Sequence, residues 1–169
     1  MIDLDAVDAI AAHLQSLPEL ARVTVRACEA VAVDTADIPA GGLVHVQKAD
    51  GVTWQRDGSS DQETVEVRIV HQVPLHCDQH DQDGIDEIRA LDRRSDIIRR
   101  AVLQHDFEIS DPADGGRPTT LRPVDAQSTG NPSHPFLLHQ IYLSDLIVTF
   151  DAIRNNFAGR AVIRLREAA

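Results

Sequence analysis

The sequence predicts an α+β subunit, a single mixed or antiparallel sheet with two helices packed on one face, whose edges suit it to ring formation. Three observations predict it. Thr64 to Val70 alternates as a strand, with Val65, Val67 and Ile69 on one side and Glu66 and Arg68 on the other. Asp83 to His105 sets Ile88, Leu91, Ser95, Ile98, Ala101 and Val102 along one helical stripe, while Asp86, Glu87 and five arginines, Arg89, Arg93, Arg94, Arg99 and Arg100, take the rest of the surface. The remaining strand-like segments are short, and lone sheet edges invite pairing between copies, a physical route to a ring.

In chain order, Leu4, Val7, Ile10, Ala11, Leu14 and Leu17 fall at helical spacing, with Asp3 as a cap and Pro18 as the stop. Arg22 to Cys28 and Ala30 to Val33 read as strands, Asp34 to Gly42 as a loop, and Leu43 to Gln47 as a strand. Ala49 to Gln62 is polar, holds Asp50-Gly51 and Asp57-Gly58, and reads as a projecting hairpin or arm. For the long helix the expected cap is Asp83, with Asp86 and Glu87 at the positive end of the dipole. Phe107 and Ile109 are too few to define a strand. Thr119 to Ala126 is extended, and Pro118 and Pro123 confine it to an edge. Phe136 to Phe150 forms one or two central strands, with Asp145 marking a break. Ala161 to Arg166 suits a strand or a helix equally.

With 169 residues the chain is expected to form one domain over 1–153 with a C-terminal extension over 154–169. Its 43% apolar and 25% charged composition is that of an ordinary globular protein, no apolar run approaches the ~20 residues a bilayer requires, and the acidic start lacks a secretory signal, so a cytoplasmic, non-membrane protein is expected. Cys28 and Cys77 are read as free thiols. A net charge of −11 argues against a nucleic-acid binder, since phosphate contacts need clustered cations.

Chemistry is sparse. His76, Cys77, His80 and the intervening acids are zinc-ligand types, but they lie between Pro74 and the helix start without a second ligand pair, so a solvated loop is the preferred reading. A metal-dependent enzyme would need that cluster plus distant ligands such as His105, His134 or His139. Asp78, Asp81, Asp83, Asp86 and Glu87 do not meet the calcium-loop pattern. Neighbouring acids disfavour a Cys77 thiolate, and there is no Gly-x-Ser-x-Gly elbow, phosphate loop or dinucleotide fingerprint. The expectation is no catalytic residue and no cofactor. Trp54, in the polar arm, either folds back on the sheet, which is preferred, or anchors a partner together with Arg56, Asp57 and Asp61.

The order of the opening helix to Pro18, the strands near Val23 to Ala27, Leu43 to Gln47 and Thr64 to Val70, the helix from Ile85 and the strand Leu146 to Phe150 resembles the tail terminator, or tail-completion, proteins of tailed bacteriophages. The resemblance spans about residues 2–153 and rests on order and pattern. It implies a virion protein at the tail–head junction, assembled in the host cytoplasm. Copies would form a hexameric ring that contacts the tail tube protein and the neck or connector proteins, with DNA passing through unheld. A neck or head–tail adaptor ring is the alternative. On this reading Asp57, Asp61, Asp86 and Glu87 line the channel, where acids keep DNA phosphates from sticking.

Overall fold

The structure is a computed structural model, describing residues 2–28, 37–49, 54–57, 60–76, 81–111, 117–128 and 141–154. Its elements are α1 (Ile2–Gln15), β1 (Thr24–Cys28), β2 (Leu43–Lys48), β3 (Trp54–Asp57), β4 (Ser60–Pro74), α2 (Gln82–Leu103), β5 (Phe107–Asp111), β6 (Arg117–Ser128) and β7 (Ile141–Arg154). A 3-10 turn, Pro18–Leu20, follows α1. The expected strands over 30–33 and 136–140 and the extension from 155 lie outside the described residues.

All strands join one mixed sheet in the order β1-β2-β4-β7-β6-β5, with β3 also on β4. Among the described residues only β1 and β2 run parallel. β4 is the spine: Glu63 pairs with both Trp54 of β3 and Ala152 of β7, so β3 and β2 lie end to end along one side of β4 and β7 occupies the other.

The alternation in β4 selects the core face. Val65, Val67 and Ile69 stand opposite Phe150, Val148 and Leu146 of β7, and all six are buried. Ala6, Val7, Ile10, Ala11 and Leu14 of α1 and Ile98 and Val102 of α2 pack into the same cluster, so both helices lie on one face, as expected. Each such valine, leucine, isoleucine or phenylalanine side chain contributes about 1.5–3 kcal/mol by leaving water, and a charge at fully buried Val67 would give up its hydration. α1 touches β1, β2 and β4 and also β5 at the far edge, so the sheet curls around that helix. α2 covers the other end of the face, with Leu91 and Ile88 against Val73, Leu75 and Tyr142.

Two glycines make the tight entry to β2. A Cβ on Gly41 would collide with the Arg22 carbonyl oxygen, and Gly42 has φ 102° with Val73 Cγ2 2.9 Å from where its Cβ would stand. Only glycine takes both positions without strain.

Several expectations are corrected. The α2 N-cap is Asp81, whose carbonyl accepts the Ile85 N–H, and Asp83 falls inside the first turn. Phe107–Asp111 is a full strand because β6 pairs along its whole length, with Phe107 opposite Leu121. β6 is an inner strand despite its prolines. Pro118 precedes the first β7 partner, at Thr119, and Pro123 lies beyond the last β5 partner, at Leu121. Among the described residues each proline therefore sits where the sheet is one neighbour short, with a bulge between Pro123 and Asp125. β7 runs unbroken through Asp145, because that carboxylate is neutralised across the sheet by Arg68.

Candidate functional site

Among the described residues the sheet ends in β1 and β5, and the hairpin β3–β4 stands off the main strand order. In the hairpin Asp57 stands opposite Ser60, Arg56 opposite Asp61, and Trp54 opposite Glu63. Among the described residues the β7 partners of β4 begin at Glu63, so there Ser60, Asp61 and Gln62 pair with β3 only and the hairpin extends beyond the β4–β7 ladder. This is the arm that the polar, glycine-containing segment predicts. Arg56 and Asp61 share a register position. The second pair of acids assigned to a channel is elsewhere: Asp86 and Glu87 lie in the first turns of α2, which packs at the Pro74 end of β4. At about 3.3 Å per strand residue, some 40 Å of β4 separates Asp61 from Pro74, so the four acids do not form one cluster. Asp86 accepts a hydrogen bond from Gln82 Nε2 at 3.0 Å and is exposed; Glu87 accepts the His76 backbone N–H at 3.3 Å.

The zinc-type cluster gains no geometry. His76 is exposed, Cys77 and His80 lie outside the described residues, and among the described residues no group of three or more His, Cys, Asp or Glu side chains converges. His105 instead stacks on His13 of α1, ring centroids 4.2 Å apart, with Phe107 edge-on to both. His13 Nε2 lies 3.2 Å from the Ala101 carbonyl; burial and then the His105 charge hold its pKa below the usual histidine value, against that bond.

Two polar constellations escaped the sequence reading. On the core face, His71 Nδ1 lies 2.9 Å from Ser95 Oγ, Ser95 Oγ lies 3.0 Å from the Tyr142 hydroxyl, and Tyr142 donates to Asp92 at 2.8 Å. Burial, aided by the nearby Arg94 charge, lowers the His71 pKa to about 3, and burial raises that of Tyr142, so both are neutral at pH 7. The chain fastens α2 to β4 and β7. The signal was present: His71 follows Val65, Val67 and Ile69 at period two, and Ser95 lies in the apolar stripe of α2. On the opposite face Arg68 grips Asp145 through Nε at 2.9 and 3.1 Å and through Nη2. That pair borders an open groove shared with Gln47, Lys48, Ala49, Glu66 and Ile147.

The chain matches no protein-family model and no curated protein.

Proposed function

We propose that the chain is a structural virion subunit whose copies close into a hexameric ring at the end of a bacteriophage tail tube, joining it to the head or neck. The observation that supports this most is a sheet curled around α1 that carries the β3–β4 hairpin and ends, among the described residues, in the edge strands β1 and β5. Edges supply contacts between copies and the hairpin supplies contacts to a partner, since protruding loops on a fixed sheet are where recognition concentrates. Asp57 and Asp61 at one end of β4 and Asp86 and Glu87 near the other are assigned to the channel wall at two heights, where their charge keeps DNA moving.

Electron microscopy of the purified protein, alone and mixed with tail tubes, tests the reading. Sixfold rings seated on tube ends are expected; tubes with bare ends beside unassembled protein would overturn it.

A further inference from the structure

We propose that neighbouring copies join by parallel pairing of β1 of one copy with β5 of the next, with Arg26 beside Glu108 of the partner subunit. The proposal rests on the ring reading and names the surface that would close the ring.

The two edges are alike in length and opposite in charge. β1 and β5 each have five residues, and among the described residues neither has a strand on its outer side. β1 and its approach carry Arg22 and Arg26, both exposed; β5 carries exposed Glu108, and none of the three has an ion-pair partner among the described residues. Asp106, just before β5, is already engaged by Arg122. Like edges therefore repel and unlike edges attract, which disfavours a two-fold dimer through either edge and favours head-to-tail addition.

Register agrees. Arg26 lies opposite His45 of β2, on the face away from the helices, and Val25 and Ala27 share the face of Val44 and Val46. In β5, Phe107 and Ile109 face the core and Glu108 the other side. Setting Arg26 against Glu108 of the partner subunit continues both faces, Val25 and Ala27 meeting the apolar residues that flank the glutamate. A slip of one residue would set charge against the apolar face.

Direction follows from the topology. Counting reversals along the sheet, β1 and β5 run the same way within one copy. Rotation about a ring axis preserves the axial component of every strand's direction, so for strands that run along the axis the pairing between copies is parallel.

The test is a charge swap, read by native mass spectrometry and light scattering at fixed protein concentration, with circular dichroism reporting the fold. Arg26→Glu and Glu108→Arg should each lower the ring population by about tenfold or more, because every interface feels the change, and the double swap should restore it. Full rings in both single variants, or well-folded single and double variants that all fail to assemble, would overturn the edge assignment and leave the ring reading standing. A wild-type protein that forms no ring, even on tail tubes, would remove both.

Discussion

Tyr142 on β7 donates its phenolic hydrogen to the Asp92 carboxylate on α2 across 2.8 Å, and this bond is the outer end of a chain that runs inward through Ser95 to His71. With the tyrosine hydrogen committed to Asp92, the most favourable pattern passes every hydrogen one way, from His71 Nδ1 to Ser95, from Ser95 to Tyr142, and on to the carboxylate. It leaves His71 Nε2, which has no hydrogen-bond partner among the described residues, as a buried lone pair instead of a buried N–H. The chain is a directional tie between the long helix and the two central strands.

Tyr142→Phe removes the middle of this tie while keeping the ring against Val73 and Leu91. The expected loss is about 1–2 kcal/mol, the cost of leaving a buried hydroxyl unmatched, or roughly 3–6 °C in Tm for a domain of this size. Calorimetry showing an unchanged Tm would mean that the chain does not hold α2.

His71 gives the fold an acid-sensitive point. Its folded pKa of about 3 lies below the ordinary value near 6.5, so above pH 6.5 it contributes nothing to the pH dependence. As pH falls below 6.5 the unfolded chain takes up a proton that the folded chain refuses. Stability then drops by about 1.4 kcal/mol per pH unit toward pH 3. Between pH 7 and 5 the wild type should lose about 2 kcal/mol more than His71→Leu in urea titrations; parallel losses would contradict the assignment.

Arg68 and Asp145 should respond unequally. The carboxylate side chain is 8% exposed and the guanidinium 43%, so removing the arginine strands a buried charge, whereas removing the acid frees a group that already reaches water. Discounted for that exposure, Arg68→Met is expected to cost about 1–3 kcal/mol and Asp145→Asn about 1 or less. Denaturant unfolding with the order reversed would refute the account of why β7 tolerates an aspartate.

Trp54 begins the arm, opposite Glu63. If it anchors a neighbour, Trp54→Ala weakens assembly about tenfold or more while the circular dichroism of the monomer stays unchanged. Joint loss of assembly and helical signal would assign it to the fold.

Legibility followed periodicity. The spine strand and the long helix were readable because Val65, Val67, Ile69, Leu91, Ile98 and Val102 are apolar at the spacing their elements require, and all are buried. The hairpin arm was readable from its turn residues. β5 was not, because Phe107 and Ile109 gain strand character only from lying beside β6. The inner place of β6 was hidden by two prolines that the staggered ends of its neighbours accommodate. The continuity of β7 was hidden by Asp145, whose charge is met by an arginine 77 positions away. In the His71 to Asp92 chain, periodicity marks His71 and Ser95 as inward-facing, but their meeting with Tyr142 and Asp92 depends on how separate elements pack. Asp61 and Asp86, grouped together from the sequence, follow the same rule, since β4 itself holds the arm apart from the start of α2.

The central claim is assembly, and the most direct measurement is the mass of the native particle formed by the purified protein, at increasing concentration and in the presence of tail tubes. Six copies of the 18.5 kDa chain in a closed ring are expected. A single copy at every concentration, with none retained on the tubes, would contradict it.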